Sequence, residues 1–509
     1  MPFTSRTGGG AQVSAEALYQ TYDRILADID EDDRQDALRL LQWVAFSVRT
    51  ILLTEAVEVV ATNPDAKDGP LFDPFRRLRD PRTVLTICSS LVTIASSDVQ
   101  LCEETVGGEE TGRLRQDLAH FSQTATLRLA HFSVREYLVS DHLRMSHTRA
   151  SFYHFNKRAA DIFIARTCLA YLLQFDRHGC VNWETTKTHP LHAYAAQHWI
   201  YHAQSDANGI SDALHKLIMD LLQPGNAMYV NWLWHYDPDA FFCSTQESGI
   251  RCTPLYYTSL NGLARASQNL LTNGSDVNAQ GGHHGSPLQA ASVRGHDRIV
   301  QLLLRQGADV NAQGGHHGSA LQAASVRGHD GIVRLLLDHG ADVNAQGGYA
   351  LQVATVRGNH EVVKLLLEQG ADVNVQGGYH GTALQVASVR GKEGIVRLLL
   401  GQGADVNARG GYHGSALQAA SSNGHEGAVR LLLAWGADVN AQGGGYGSAL
   451  QAASAEGHGG IVRLLLENGA DVNMRGGMYE SARHAASAEG HNAIVRLLLE
   501  RGADVDTRG

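Results

Sequence analysis

Apolar residues in the first part of the chain recur at helical spacing, with Leu18, Tyr22, Ile25 and Ile29 in one segment and Leu38, Leu41, Val44 and Val48 in the next. Asp80 followed by Pro81 has the form of an N-cap with proline in the first turn and predicts a helix over Val84 to Cys88. The runs Leu91 to Ile94 and Leu127 to Ala130 are rich in β-forming residues and are separated by a polar stretch around Gly107-Gly108-Glu109-Glu110, so they are expected to pair as a hairpin wing. Ser133-Val134-Arg135-Glu136 has capping-box spacing, with Ser133 as N-cap of a helix through Tyr137, Leu138 and Val139. Further helical patterns cover Cys168 to Leu173, Leu191 to Ile200 and Leu214 to Leu222.

From Thr253 onward the pattern becomes periodic. The phrase Gly-Ala-Asp-Val-Asn, or a variant of it, places Asp at 276, 309, 342, 372, 405, 438, 471 and 504, a period of 33 residues with one interval of 30. That period, with two short apolar helices and a turn in each of eight units, marks a repeat array. In an interior unit Ile332, Val333, Leu335, Leu336 and Leu337 put apolar groups on one side and at the end of the second helix, and Gly340 supplies its left-handed cap. Burying such a side chain contributes about 1.5–3 kcal/mol, but one unit cannot cover its own face, so stability is expected from stacking.

The unit running from Ser319 to His329 through Ala320-Leu321-Gln322-Ala323-Ala324-Ser325-Val326-Arg327-Gly328, then Ile332-Val333, Leu335-Leu336-Leu337 and Gly340 to Asn344, resembles the ankyrin repeat. Gln322 stands where that family usually has His. The resemblance implies an α-solenoid over residues 251–509 that binds partners and rarely does chemistry. In the last unit Arg483 replaces the inward Leu and Asp506 replaces Asn, which is the polar outer face expected where an array ends.

Tyr22-Asp23-Arg24-Ile25-Leu26, Leu41-Gln42-Trp43, Ile87 to Val92, Leu129 to Leu138, Cys168 to Leu173 and Pro254-Leu255-Tyr256-Tyr257 are similar to the winged-helix and helical segment that follows the NACHT domain in fungal STAND proteins. This resemblance covers most of residues 15–205. It implies a winged-helix-like segment over 15–145 and a helical connector over 146–250, after a Gly-rich start, 1–14, expected to be disordered. The fold class is therefore mainly α: a solenoid of about eight ankyrin repeats preceded by a helical, winged-helix domain with a small β-hairpin. The NTPase loop of that family, Gly-x-x-x-x-Gly-Lys-Ser/Thr, does not occur in this sequence; Gly391-Lys392 is followed by Glu393 and falls between two repeat helices.

At 509 residues the chain exceeds what one core accommodates. Its net charge of -10 disfavours nonspecific attraction to nucleic acid or anionic lipid, and the locally basic stretch Phe75 to Arg82 is interrupted by Asp80. All six cysteines (Cys88, Cys102, Cys168, Cys180, Cys243 and Cys252) precede the repeats without Cys-x-x-Cys spacing, which fits reduced thiols and gives no zinc framework. No signal-peptide pattern and no run of roughly 20 apolar residues occurs, so an intracellular protein of cytoplasm or nucleus is expected.

Variation between near-identical units singles out the candidate surface. The turn tips carry His283-His284, His316-His317, Tyr349, Tyr379-His380, Tyr412-His413, Tyr446 and Met478-Tyr479, groups that bury much area with few rotatable bonds. The first-helix ends read Arg294, Arg327, Arg357 and Arg390, then Ser422-Asn423, Glu456 and Glu489, so the face is expected to run from positive to negative. Such positions are either partner-orienting charges or solvated residues copied by duplication.

Unit four lacks three tip residues and passes from Tyr349 straight to Ala350-Leu351, which predicts a notch in the row of tips. Trp435 either packs on its neighbour or stands as an exposed hot spot. Tip histidines in successive units are expected too far apart to share a zinc ion, and His296, His329, His425, His458 and His491 are, by the ankyrin resemblance, structural hydrogen-bonders. Gly443 to Gly447 has no preceding strand and no Lys of a phosphate loop, and His131 with Ser133 lacks a third catalytic group.

These features point to a non-catalytic protein–protein interaction module, an adaptor, sensor or regulator, with no cofactor, metal, direct nucleic-acid contact, membrane span or small-molecule substrate. A nuclear ankyrin coregulator of transcription is the alternative. An NTPase signalling protein is third, disfavoured for want of a phosphate loop.

Overall fold

The structure, a computed structural model, describes residues 15–66, 71–95, 124–176, 187–206, 211–223, 225–239, 252–377 and 381–504. The chain divides into two compact units, 1–246 with 263–270, and 247–262 with 271–509.

In the first unit the helix Ala15–Ala27 turns Tyr22 and Leu26 inward, and Ile29 is buried just beyond it. The next helix, Arg34–Phe46, buries Ala37, Leu40, Leu41, Trp43 and Phe46, while Leu38 and Val44 are half-buried and Val48, beyond the helix, is exposed. The inward stripe is thus displaced from the one its small apolar residues suggested. Ring volume explains the shift, because Trp43 packs on Tyr194 with centroids 5.0 Å apart and Phe46 packs on Phe155 at 5.9 Å.

Three antiparallel strands, β1 (Ile51–Leu52), β2 (Val92–Ala95) and β3 (Thr126–Leu129), lie in the order β1-β3-β2, with Val92 opposite Leu129 and Ile51 opposite Leu127. The β2–β3 pairing is the expected wing. The added strand β1 has two residues, too few for alternation to announce. The stretch at 107–110 lies outside the described residues.

Two local expectations are corrected. The helix Phe132–Leu138 is capped by His131, whose Nδ1 accepts from the Ser133 N–H at 3.3 Å. Ser133 is not the N-cap, because its hydroxyl lies 2.8 Å from the Tyr22 hydroxyl and 2.7 Å from His131 Nδ1. Likewise Asp80 accepts from the Arg82 N–H at 2.9 Å in the turn that precedes the helix Thr83–Ile87, rather than capping that helix.

The helices Lys157–Leu172 and Leu191–Ala203 pack along each other in the core of this unit. Between them the Tyr194 hydroxyl accepts from the Val48 N–H at 3.0 Å and donates to His202 Nε2 at 2.9 Å, and His202 Nδ1 donates to Asp161 at 2.8 Å. The Asp161, His202 and Tyr194 side chains are all buried, so this chain of hydrogen bonds locks helices together. Nearby, Glu58 accepts from Arg77 and from the Tyr171 hydroxyl, at 2.9 Å for the latter. Burial raises its pKa while the Arg77 guanidinium opposes the rise.

Helices recur in pairs from Pro254–Leu260 and Ala264–Thr272 to Ala482–Ala488 and Asn492–Glu500. Each second helix buries the stripe typified by Ile332, Val333 and Leu336, and Gly340 closes that helix at φ +83°. Successive units are tied by one asparagine each. Asn374 accepts from the Asp405 N–H at 2.8 Å and donates to the Gly403 carbonyl at 3.2 Å, and Asn278, Asn311, Asn344, Asn407, Asn440 and Asn473 repeat the clamp on their own neighbours.

At the turn between helices His296, His425, His458 and His491 donate to a carbonyl of the preceding unit at 3.0–3.3 Å. Asn359 does so in unit four at 2.9 Å. His329 holds the same place over Gly295.

Replacing Asn374 by Ala removes both bonds of one clamp and is expected to destabilise the array by about 1 kcal/mol, the range for solvent-accessible hydrogen bonds. The urea midpoint of the array transition, read by circular dichroism, checks the loss against wild type.

Candidate functional site

Each turn tip is shaped by glycine and held by the unit before it. Gly444 has φ +63°, and a Cβ there would stand 2.4 Å from the His413 carbonyl oxygen, so the tips approach too closely for any side chain. Gln418 then donates through Nε2 to the carbonyls of Gly443 at 2.8 Å and Gly447 at 2.9 Å in the following tip. In units two, three and five the same glutamine also accepts, through Oε1, from the N–H of its own helix cap: Gln289 from Ser286, Gln322 from Ser319 and Gln385 from Thr382. This double role went unread in the sequence. Its signal was Gln standing where the family has His.

Among the described residues, neighbouring full-length tips are joined by backbone hydrogen bonds. His316 donates its backbone N–H to the His283 carbonyl at 2.8 Å, and their rings stack at 4.9 Å. His284 and His317 stack at 5.8 Å and 6°. Farther along, the Gly445 N–H donates to the Tyr412 carbonyl at 3.2 Å and the Met478 N–H to the Gly445 carbonyl at 3.1 Å.

The predicted contact residues divide by exposure. Tyr349 and Tyr412 are 46% and 41% exposed, His316 is exposed, and His283, His317, His413, Tyr446 and Tyr479 are half-buried. His284 is buried against His317 and offers no contact area, a correction whose cause is the ring stack itself. Tyr379 and His380 lie outside the described residues. Trp435 is 49% exposed at the end of its helix, so its packing is partial.

Arg294, Arg327, Arg357 and Arg390 are all exposed, and among the described residues none has an ion-pair or hydrogen-bond partner. Glu456 and Glu489, also exposed, each accept from a tip hydroxyl, Tyr446 and Tyr479 respectively, at 2.6 Å. Charge on this face therefore changes sign along the array.

Unit four departs from the ladder. Tyr349 occupies the position of the capping Ser or Thr, and the segment turns through Gln346, Gly347 and Gly348 at φ +51°, +68° and +70°. Gln346 reaches back to Gln313 at 2.7 Å, and Asn344 still clamps Asp372 at 2.8 Å, so the stack continues through the shortened unit. Beside it opens a cleft of about 540 Å³. Val326, Val353, Val356 and Val386 line it, with His316, His317 and Tyr349 from the tips and Arg357 and Arg390 from the helix ends.

Among the described residues no group of three or more His, Cys, Asp or Glu is placed to hold a metal ion, and the tip imidazoles lie face to face rather than around a centre. Cys88, Cys168 and Cys252 are buried. Among the described residues no helix is long and apolar enough to cross a membrane.

Comparison with known proteins bears on the array. Family models described as ankyrin repeats match residues 315–377, 374–443 and 443–509, and a single-repeat model matches 284–315. A Monascus ruber protein named azaphilone pigments biosynthesis cluster protein L is 34% identical over 283 residues, which cover 53% of this chain and 54% of that protein. The chain thus spans about half the length of this curated relative. The crystal structure of the human ASB11 ankyrin repeat domain aligns at 27% identity with a TM-score of 0.39, covering 43% of this chain and 98% of that domain.

Burial, followed by the charges of His316, Arg327, His283 and Arg357, pushes the His317 imidazole down to about 4. An unfolded imidazole titrates near 6.5, so the unfolded chain takes up this proton first, and the stability His317 contributes above that pH is lost as pH falls toward 4. The His317 ring resonance, assigned by its disappearance in His317→Gln, should titrate near pH 4 by NMR. Removing a positive neighbour in Arg327→Gln should move it upward.

Proposed function

We propose that this chain is a non-catalytic recognition protein whose ankyrin repeats, residues 284–509, hold another protein across the turn tips and first-helix ends. Ankyrin repeats generally mediate protein–protein interaction, and the array carries what such a role needs. The observation that carries the reading is the row of exposed arginines in units two to five, unpaired among the described residues, giving way to Glu456 and Glu489 in units seven and eight. Opposed charge at the two ends fixes a partner's polarity and speeds encounter more than it deepens affinity.

On this reading the first unit is a scaffold of the fungal STAND type. A three-stranded antiparallel sheet set among short helices, with its β2–β3 wing, is in keeping with the winged-helix segment of that family. The relaying Asp161, His202 and Tyr194 are buried among helices, which suits a structural role. The Monascus ruber relative bears the name of a biosynthesis cluster protein, a name that states no enzymatic activity. Together these support an adaptor or regulator acting on a nucleotide-binding or signalling partner.

Affinity capture on the full chain tests this. Wild type should retain a signalling or STAND-type protein, and reversing Arg327 and Arg390 to Glu should reduce recovery about tenfold or more by weakening encounter, with the melting curve unchanged. Recovery of a transcription factor would replace the adaptor with a nuclear coregulator. Stoichiometric, high-affinity ATP binding by the chain would overturn the non-catalytic assignment.

A further inference from the structure

We propose that the cleft beside the shortened tip of unit four receives an acidic side chain of the partner, Asp or Glu, carried on a segment that also inserts a neighbouring apolar side chain. The inference rests on the recognition role proposed above and names the chemistry that this one place on the array selects.

Between the tips of units two and three, ring stacking and a tip-to-tip hydrogen bond close the row, as between His283 and His316. Unit four has lost the residues that would do this, and about 540 Å³ opens beside it, within the ordinary range of ligand pockets. The space joins two unlike surfaces. Val326, Val353 and Val356 offer apolar area that a Leu- or Ile-sized side chain would cover, and Val386, itself buried, completes the lining. Arg357 and Arg390 line the same cleft, and among the described residues neither guanidinium is committed to another group. A carboxylate there would gain charge-assisted hydrogen bonds.

A second group in the cleft is also unused. In units two, three and five the glutamine Oε1 accepts from the Ser or Thr that caps its helix, whereas in units six and seven Gln418 and Gln451 leave it without a partner among the described residues. Tyr349 takes the cap position in unit four, and Gln352 lines the cleft with its Nε2 engaged by the Val375 and Gly381 carbonyls. Its Oε1, with no donor among the described residues, is available to a peptide N–H.

A carboxylate is the anion that an unmodified peptide carries beside an apolar side chain, which is the pairing this mixed lining calls for. A peptide suits it better than a free acid, because the acceptor and the apolar floor call for a backbone N–H and a side chain at fixed separation.

Selection of a phage-displayed random dodecapeptide library on the immobilised full chain tests the proposal. Selected peptides should share Asp or Glu within two residues of Leu, Ile, Val or Phe. By fluorescence anisotropy a selected peptide should bind at least tenfold more weakly when its acid is amidated, and the same loss should follow Arg357→Gln with Arg390→Gln. Reinserting His-Gly-Ser between Tyr349 and Ala350 should also abolish binding, and a circular dichroism melt matching wild type shows that either variant is folded.

Selection of peptides without acid enrichment, equal binding to the refilled unit four, or no selection at all overturns the pocket. Competition by free glutarate at equal potency assigns it to small carboxylates and equally overturns it. Protein capture that survives filling of the cleft but fails on reversal of Arg327 and Arg390 would sink the pocket alone. Loss of all protein capture by the wild-type array would sink the recognition role on which it rests.

Discussion

The array depends on polar groups that no unit can satisfy for itself. An asparagine at the end of one unit accepts from an N–H and donates to a carbonyl of the next, as Asn374 does with Asp405 and Gly403. A glutamine on the first helix reaches forward to the carbonyls of the next tip, and a histidine at the helix turn reaches back to a carbonyl of the preceding unit. Apolar burial between helices supplies most of the attraction, but it is nearly indifferent to small slips. These bonds fix register, since a displaced neighbour would leave backbone groups without partners.

Seen this way, near-identity of the units is a physical requirement on some positions and a freedom at others. Asn, Gln and the Gly of the turns must recur because each makes its bond to the copy beside it. Gly444 is held twice, by its left-handed φ and by the His413 carbonyl that a Cβ would strike. Unit four shows how far the rule bends. With three tip residues gone, Gln346 accepts a strained φ of +51° and bonds Gln313, while the Asn344 clamp is kept. The asparagine series survives because the deletion removed a projection and left the clamps.

Legibility in the sequence followed the same division. Period, eight units, capping glycines and the β2–β3 pairing were readable because each is set by local pattern. The inward face of the helix Arg34–Phe46 was not, because Trp43 and Phe46 outcompeted smaller residues for space that only the folded neighbours define. Ser133 failed as a cap for a related reason: its hydroxyl is drawn to Tyr22, 111 residues away. At the candidate surface the exposed arginines were legible as variation between copies, but the burial of His284 was not, since it arises from one ring stacking on the next. Of the valines of the cleft, Val326 and Val356 were visible as letters beside Arg, and Val353 and Val386 were not. That all four line one opening depends on unit four's shortened tip.

The separation of clamping from displayed positions also explains how such a surface can change without cost to the fold. Arg390, Asn423 and Glu456 occupy equivalent helix ends in three successive full-length frames, and none belongs to the asparagine ladder or to the apolar stripe. A substitution there alters the field seen by a partner while leaving every inter-unit bond in place, so the sign of charge can be varied unit by unit. A change of shape is harder, because each tip is wedged between its neighbours. Deleting part of a tip is the route that leaves the clamps intact, and it produces a recess flanked by the arginines already present. The features that distinguish unit four from its sisters therefore arise together from one shortening of the chain.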